Sequence, residues 1–176
     1  MASAADIPIA PLTVDQVEEM IRHGILRDGA PIELIDGLLA YKNRSTQGED
    51  PMSIGNAHAL SVLLLAELDG ELRALGHHMR TQAPVRLPPI DEPEPDGAIA
   101  RGTPRSFAER RPGPADVPVV FEVSDASLAY DRTRKRAVYA RAGIPQYGVV
   151  NLRDDVLELS EEPSESDENY GRTTVV

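Results

Sequence analysis

The stretch Val117-Pro-Val-Val-Phe-Glu-Val-Ser124 decides the fold, because it places a glutamate inside an apolar run of strand-forming residues. A short apolar run of this kind predicts a strand that is buried on both faces. Side chains alternate across a strand, so Glu122 points away from the face that carries Phe121 and Val123. A buried carboxylate is costly unless another group compensates its charge. Glu122 is therefore either a functional acid or one half of a buried salt bridge to an arginine.

A second acid, Asp96, opens another short apolar stretch, Gly97-Ala-Ile-Ala100. An aspartate that follows a proline is most often a turn residue. At the start of a strand, however, its carboxylate can point into a cleft at the edge of a sheet. Two carboxylates on adjacent strands repel each other, and a divalent cation with oxygen ligands relieves that repulsion. The sequence leaves both interpretations of Asp96 open, a turn residue and a metal ligand.

Lys135 follows in the charged run Asp131-Arg-Thr-Arg-Lys-Arg136, which lies on a predicted helix. Such a run is usually a solvated helix face. Asp131 and Lys135 are four residues apart and share one side of the helix, so that side can instead face the two carboxylates. Two acids and one lysine are the minimum set for metal-assisted phosphodiester hydrolysis.

The histidines and serines do not indicate a different chemistry. His58 lies on the longest predicted helix, and we expect it to be a partly exposed helix residue rather than a metal ligand. No histidine has a second histidine four residues away with a glutamate between them, so a zinc site of that type is not expected. The sequence also lacks a Gly-x-Ser-x-Gly elbow, which excludes a serine hydrolase of that class.

Helices and strands alternate along the chain. The hydrophobic patterns predict helices at 14–23, 54–75 and 130–142, and strands at 33–41, 78–87, 96–101, 117–124, 146–152, 156–160 and 172–176. Asp36-Gly37 predicts a tight turn within 33–41. This order predicts an α/β fold with a central mixed β-sheet flanked by α-helices. In the 54–75 helix, residues at intervals of three and four form one apolar stripe: Ala57, Leu60, Leu64, Leu68, Leu72 and Leu75.

Length and composition indicate one domain. The chain has 176 residues, no cysteine and a formal net charge of −11. We expect a flexible N-terminal segment at 1–12 and a single domain at 13–176 that is truncated at its C-terminal strand. No stretch approaches the roughly 20 apolar residues that a membrane helix needs, and no signal peptide is visible. We therefore expect a cytoplasmic protein without a membrane partner.

The distribution of charge bears on nucleic-acid binding. The acidic total argues against unspecific binding to nucleic acid, which depends on the sum of lysines and arginines. Basic residues nevertheless cluster at 101–111 and 132–141. These clusters predict a locally basic face on an acidic molecule.

Several motifs follow one another in a recognisable order. They are Glu33-Leu-Ile-Asp-Gly37, His58, Pro95-Asp96, Phe121-Glu-Val-Ser-Asp-Ala-Ser-Leu-Ala-Tyr-Asp131, Lys135 and Tyr139-Ala-Arg-Ala-Gly-Ile-Pro-Gln-Tyr147. In this order they resemble the Uma-type restriction endonuclease family, a branch of the PD-(D/E)XK nuclease superfamily. The resemblance covers residues 13–171, and its most specific part runs from Glu122 to Tyr147.

The resemblance implies a restriction-endonuclease-like core and a metal site. It implies that Asp96 and Glu122 coordinate Mg²⁺ or Mn²⁺, and that Glu33 lies near the ion. Oxygen ligands suit such a hard ion, and the carbonyl of Val123 would add a further one. We therefore expect these four residues to form the metal site.

The chain departs from the family pattern at three positions. The superfamily motif has a lysine two residues after the second acid, where this chain has Ser124. Lys135 matches the position of a lysine that reaches the site from the next helix, and we expect it to be catalytic. Relatives also usually carry tryptophan where Gly148 stands and often aspartate where Asn151 stands. We expect these two changes to affect packing only.

Together these features predict a metal-dependent endonuclease that hydrolyses phosphodiester bonds of nucleic acid, with DNA as the expected substrate. We also expect a homodimer, because symmetric self-association is the usual mode. One alternative is a catalytically silent nucleic-acid- or protein-binding module on a nuclease scaffold, favoured by the charge of −11 and the missing lysine at position 124. A third hypothesis, a two-carboxylate hydrolase acting on sugars, is disfavoured because the chain has no tryptophan and few aromatic residues.

Overall fold

The secondary structure is defined by a computed structural model that describes residues 10–42 and 56–176. The helices are α1 (Val14–Arg22), α2 (Asn56–Glu67), α3 (Asp69–Ala74), α4 (Leu128–Tyr130) and α5 (Arg136–Arg141), with a π-helical segment (Asp131–Lys135) between α4 and α5. The strands are β1 (Ile32–Ile35), β2 (Leu38–Tyr41), β3 (His77–Thr81), β4 (Gly97–Arg101), β5 (Val119–Ser124), β6 (Gln146–Asn151), β7 (Val156–Ser164) and β8 (Asn169–Val175).

A six-stranded mixed sheet forms the centre of the fold, in the order β3-β4-β5-β6-β7-β8. Strands β5 and β6 are parallel, whereas every other neighbouring pair in this sheet is antiparallel. Parallel strands need a crossover connection, and here α4, the π-helical segment and α5 supply it. The predicted α/β fold with a central mixed sheet flanked by helices is confirmed.

Helix α1 and the β1–β2 hairpin share a small hydrophobic core of their own, made by Val14, Val17 and Leu34. The hairpin turns at Asp36 and Gly37, whose φ angles of 50° and 72° are both positive. Two successive positive φ angles are typical of the type I′ turn, which matches the right-handed twist of the flanking strands. The tight turn predicted at this dipeptide is confirmed.

The crossover helix differs from the regular helix predicted at 130–142. It begins at Leu128 and contains the π-helical segment, so the α-helix is interrupted between Tyr130 and Arg136. Such wide turns are rare and occur frequently at functional sites. The two ends of the segment, Asp131 and Lys135, are both buried. The segment therefore directs two charged side chains toward the sheet.

The helix predicted at 54–75 is divided at Leu68 into α2 and α3, and residues 54 and 55 lie outside the described residues. The predicted apolar stripe does not pack against the sheet. Its leucines are mostly exposed, whereas the face of α2 that is buried carries His58. Helix α2 is apolar on most of its circumference, so the spacing of leucines alone could not identify the buried face. The exposed members of the stripe are Leu60, Leu64, Leu68 and Leu75.

The strand predicted at 78–87 is also shorter than expected, because β3 ends at Thr81. Gln82 has a φ angle of 47°, in the left-handed region that does not continue a strand. Beyond it, the N–H of Val85 donates to the carbonyl of Pro93 at 2.9 Å. This contact holds the acidic loop that leads to Asp96.

The strands at the C-terminal edge of the sheet are longer than predicted. Strand β7 extends the 156–160 prediction to Ser164, and β8 begins at Asn169 rather than at position 172. They pair in antiparallel register along both lengths.

Gly148 on β6 lies opposite Phe121 on β5. A Cβ atom at Gly148 would come within 2.5 Å of a ring carbon of Phe121, which is closer than two carbon atoms can approach. The ring of Phe121 thus occupies the space that a side chain at position 148 would need. This contact gives a packing reason for the glycine.

Asn151, the other departure from the family pattern, is buried at the end of β6. Its side-chain oxygen accepts the backbone N–H groups of Arg153 and Asp154, and its Nδ2 donates to Glu158 at 2.9 Å. The residue therefore holds the turn between β6 and β7.

Residues 1–9 of the expected flexible segment 1–12 lie outside the described residues. Leu12 donates its backbone N–H to the carbonyl of Gly37 at 2.9 Å, so the end of that segment contacts the hairpin turn. Across 10–42 and 56–176, none of the helices has the length and apolar character that a membrane span requires.

Candidate active site

The antiparallel pairing of β4 and β5 brings the two central acids together. Gly97 on β4 lies opposite Phe121 on β5. In this antiparallel register Asp96, which precedes Gly97, lies beside Glu122, which follows Phe121. Both acids are buried, with 1% and 4% of their surfaces exposed. One oxygen of Asp96, Oδ2, accepts the backbone N–H of Val123 at 2.9 Å. This hydrogen bond fixes the carboxylate, which directly precedes β4, against β5.

Lys135 reaches the acids from the π-helical segment. Its Nζ atom lies 3.1 Å from Glu122 Oε1 and 2.7 Å from Glu33 Oε2. Glu122 therefore forms a buried ion pair with a lysine, and not with an arginine as one interpretation of the sequence had it. Lys135 itself is only 4% exposed, so its side of the helix is not a solvated face.

Glu33 joins the site from β1 of the hairpin. Its Oε2 atom accepts hydrogen bonds from Lys135 Nζ and from the backbone N–H of Glu94, the latter at 3.2 Å. The hairpin is tied to the same loop by an antiparallel bridge between Leu34 and Glu92. Glu33 thus enters the cavity because the hairpin is anchored to the loop that precedes Asp96.

Two hydroxyl groups support the charged residues. The Oγ atom of Ser124 donates to Asp131 Oδ2 at 2.6 Å. Ser124 stands where the superfamily motif has a lysine, and here it holds the buried acid at the start of the π-helical segment. Tyr139 is a core residue, as predicted, but its hydroxyl also donates to Glu122 Oε1 at 2.9 Å.

His58 lies in the site, contrary to the sequence-based expectation of a partly exposed helix residue. It is 8% exposed, and its Nε2 atom lies 3.3 Å from Asp96 Oδ1. The prediction was wrong because α2 turns this face, rather than its leucine stripe, toward the sheet. His58 therefore contacts the oxygen of Asp96 that Val123 does not.

Burial dominates the electrostatics of this cluster. It raises the pKa of Glu122 to about 8, since the attraction of Lys135 only partly offsets burial and the repulsion from Asp131, Asp96 and Glu33. Burial also raises the pKa of Asp131, against the hydrogen bond from Ser124.

Lys135 shows the opposite balance. Burial alone would lower its pKa, but the neighbouring charges of Glu122 and Glu33 outweigh burial and raise the pKa above its usual value. The ammonium group of Lys135 therefore stays protonated. Acidic side chains outnumber lysines in the cavity wall, and one of these acids, Glu122, holds its proton at neutral pH.

The cluster lines a cavity of about 340 Å³. Asp96, Glu122 and Lys135 form its charged wall, and the cavity continues past Lys42 to Tyr41, which is 76% exposed. This volume lies within the range of about 300–1,000 Å³ that is usual for small-molecule and cofactor sites. The predicted site residues therefore face a hollow rather than a closed core.

The metal-ligating capacity of the site is limited to few protein ligands. Among residues 10–42 and 56–176 there is no group of three or more histidine, cysteine, aspartate or glutamate residues placed to hold one metal ion. Glu33 is engaged by Lys135, which lies between it and Glu122. The carboxylates of Asp96 and Glu122 are hard oxygen donors that suit Mg²⁺, which commonly keeps several water ligands and takes one or two carboxylates.

Most arginines of the two basic clusters are paired with acids of the protein itself. Such pairs neutralise much of the positive charge that the sequence places at 101–111 and 132–141. The pairs are Arg110–Asp116 at 2.6 Å, Arg111–Glu92 at 2.5 Å, Arg132–Glu158 at 2.5 Å, Arg134–Asp36 and Arg141–Asp91 at 2.8 Å.

Four residues of the site were not predicted to act there: His58, Ser124, Asp131 and Tyr139. The signal for Asp131 was present, because it lies four residues from Lys135 and the two share one side of the helix. His58 and Tyr139 gave no local signal, since their partners are distant in the sequence.

Known proteins support this architecture. The crystal structure of a "putative nuclease belonging to DUF820" from Anabaena variabilis ATCC 29413 superimposes with a TM-score of 0.63 at 12% sequence identity, covering 94% of this chain and 84% of that chain. At this identity the similarity concerns the fold. A search of curated proteins finds no match. The profile of the Uma2 family, described as "Putative restriction endonuclease", matches residues 18–175. Because the match spans nearly the whole chain, the protein belongs to the Uma2 family of restriction-endonuclease-like nucleases.

Proposed function

We propose that the protein is a metal-dependent endonuclease that hydrolyses phosphodiester bonds of nucleic acid, with DNA as its substrate. One observation carries this proposal. Asp96 from the residue before β4, Glu122 from β5 and Lys135 from the π-helical segment meet in one cavity of about 340 Å³. Paired acids with a lysine beside an open hollow are the apparatus that metal-assisted phosphodiester hydrolysis requires.

The donor set of the cavity fits Mg²⁺ or Mn²⁺. Asp96 and Glu122 would hold the ion with the carbonyl of Val123, and Glu33 would stand close by. The raised pKa of Glu122, about 8, reflects burial and a surplus of carboxylates that a divalent cation would relieve. When bound, the ion would polarise the scissile phosphate and lower the pKa of a bound water.

Lys135 acts in this proposal as a fixed positive charge. Its raised pKa keeps the ammonium protonated, so it stabilises charge on the phosphate rather than accepting a proton from water. Glu33 holds the ammonium in place at 2.7 Å. The hydroxyl of Tyr139 and the ammonium of Lys135 both bind Glu122 Oε1, so Glu122 would hold the ion through its other oxygen.

His58 positions Asp96 rather than touching the substrate. Its Nε2 atom lies 3.3 Å from Asp96 Oδ1, and the N–H of Val123 binds the other oxygen. Groups that orient a ligating carboxylate in this way affect metal affinity although they do not touch the ion.

A cleavage assay with the Asp96→Asn variant tests the proposal. The substitution keeps the shape of the side chain and removes one ligand charge, so cleavage of plasmid DNA with Mn²⁺ should fall by at least about 100-fold relative to wild type. Asp125→Asn is the matched control, because Asp125 follows β5 and its side chain is 70% exposed. Circular dichroism checks the fold of both variants. Equal cleavage by wild type and Asp96→Asn would refute the assignment of the metal site.

A catalytically silent binding module remains the second candidate function. The pairing of most basic-cluster arginines with internal acids favours the protein-binding form of such a module, since little positive charge is left to hold a phosphate backbone. Titration with Mn²⁺ separates the two functions. An enzyme should take up the ion and cleave, whereas a silent module should give neither binding heat nor cleavage.

A homodimer completes the proposal, because two copies are needed to cut both strands of a duplex at once. Light scattering after size-exclusion chromatography gives the mass in solution. A mass close to 19.1 kDa, that of one chain, would exclude the dimer.

A further inference from the structure

A second cavity, of about 540 Å³, adjoins the catalytic one. The two share Glu33, Lys42 and Glu94 in their walls, so the β1–β2 hairpin and the loop beside it separate them. A molecule with its reacting phosphate in the first cavity would therefore have neighbouring atoms at the mouth of the second.

One part of the wall of the second cavity is apolar, and charged side chains make up much of the rest. Helix α1 contributes Val17 and Ile21, the segment after α1 contributes Leu26, and the hairpin contributes Leu34 and Leu39. An apolar wall beside charged groups suits a flat ring whose edge carries hydrogen-bonding groups.

One side of this cavity carries an ion pair in which one carboxylate oxygen accepts no hydrogen bond. Glu92 is only 6% exposed, and its Oε2 atom lies 2.5 Å from Arg111 Nη1. Its other oxygen, Oε1, is buried and has no hydrogen-bond partner among the described parts of the chain. A buried acceptor without a donor is unfavourable, so the site is suited to a ligand that brings a donor.

We propose that the second cavity binds a guanine base of the substrate, displaced from its strand beside the scissile phosphate. Guanine is the base that presents two adjacent donors, N1–H and N2–H, and a carboxylate with two oxygens can accept both. The guanidinium of Arg111 can donate to the neighbouring O6 acceptor. The proposal rests on the proposed nuclease function only for what happens in the first cavity, since base binding needs no metal ion.

Enzymes that read a base in a pocket take it out of the stack and recognise its edge. An unpaired guanine costs less to displace than a paired one. We therefore expect the protein to prefer guanine in single-stranded or distorted segments.

Calorimetric titration in EDTA with the four deoxynucleoside monophosphates tests the pocket without any cleavage. Wild type should bind dGMP more tightly than dAMP, dCMP and dTMP. Glu92→Gln turns part of the acceptor into a donor and should weaken dGMP binding by about 10- to 100-fold. Glu161→Gln is the matched control, because Glu161 also pairs with an arginine, Arg172, but lies on β7 outside the cavity.

Leu39→Trp provides a second variant in case Glu92→Gln fails to fold. The larger side chain fills the cavity from the hairpin and should abolish dGMP binding while leaving the Glu92–Arg111 pair in place. Equal binding of all four nucleotides by wild type, no binding of dGMP, or undiminished dGMP binding by the folded variants would overturn the proposal.

Cleavage with Mn²⁺ separates this proposal from the proposed function. The enzyme could cleave single-stranded oligonucleotides without a preference for guanine and fail to bind dGMP. That result would refute the guanine pocket and support the nuclease function. If the wild type binds guanine selectively in EDTA but never cleaves, the guanine pocket is supported and the nuclease function is refuted.

Discussion

Replacing Lys135 with methionine would test the charge balance of the catalytic cavity. The Nζ atom of Lys135 lies 2.7 Å from Glu33 and 3.1 Å from Glu122, and all three side chains are buried. Methionine keeps an unbranched apolar chain and removes the charge. Loss of one partner of a buried pair costs about 3–5 kcal/mol, because the remaining charges are left uncompensated. We expect a decrease of this size in the free energy of unfolding at pH 9 in EDTA.

The cost should depend on pH through Glu122. Its pKa in the folded protein, about 8, is above its ordinary value of 4.5, so between these pH values the folded protein holds a proton that the unfolded chain has released. Stability from this group is therefore lost as the pH rises through that window. Without Lys135 the pKa of Glu122 rises further, and the loss continues above pH 8. The difference between wild type and Lys135→Met should thus be smaller at pH 7 than at pH 9.

Urea unfolding followed by circular dichroism measures the difference, provided that the denaturant dependence stays equal in both proteins. Lys42→Met is the matched control. Lys42 pairs with Glu94 in the wall of the same cavity, but both side chains are about a quarter exposed. Loss of such a partly solvated pair should cost no more than about 1 kcal/mol.

A triple variant separates loss of charge from loss of packing. Glu33→Gln and Glu122→Gln added to Lys135→Met remove the uncompensated carboxylates, so most of the lost stability should return. If Lys135→Met costs no more than Lys42→Met at both pH values, Lys135 does not compensate buried charge and the account of the cavity is wrong.

Three further predictions concern stability. In EDTA, Glu122→Gln should gain stability relative to wild type as the pH rises from 5 to 8, by at most about 1.4 kcal/mol per pH unit. The reason is that only the wild type loses stability by ionising this group. Urea unfolding at both pH values shows whether the difference in free energy of unfolding increases. The hydrogen bond from Arg110 lowers the pKa of Asp116 to about 2, so this pair stabilises the fold above the ordinary pKa of 3.8 and is lost toward pH 2; Asp116→Asn should flatten the acid-induced fall in Tm, and an unchanged acid profile would contradict this. Gly148→Ala should cost about 1–3 kcal/mol because its Cβ would meet the ring of Phe121, and Phe121→Leu in the same chain should recover part of the loss in thermal unfolding.

The strands could be predicted where their signals are local. The apolar run around Glu122 and the Asp36-Gly37 turn depend on residues that are adjacent in the sequence, and both appear in the structure as expected. The contact between Asp96 and Glu122 depends on which strands pair, and pairing is not encoded in either stretch alone. For that contact the ordered set of family motifs was the useful signal.

The site residues that sequence analysis missed share a different physical cause. Helix α2 is apolar on most of its surface, so its composition could not show that His58 faces the sheet. The π-helical segment has no recognised sequence signature either, although it determines where Asp131 and Lys135 point. Both orientations follow from packing against distant strands, which overrides local helix periodicity.

The missing lysine at position 124 and the presence of Lys135 are connected through Asp131. Ser124 donates to Asp131 at 2.6 Å, and Asp131 begins the π-helical segment that ends at Lys135. A lysine at position 124 would replace this short hydroxyl contact with a long charged chain in a space that is fully buried. The serine instead anchors the segment, and the segment delivers the positive charge to Glu122 from the helix side. The substitution at position 124 therefore moves the lysine to another element and keeps one ammonium beside the acids, which is why its absence from the strand does not by itself indicate a silent site.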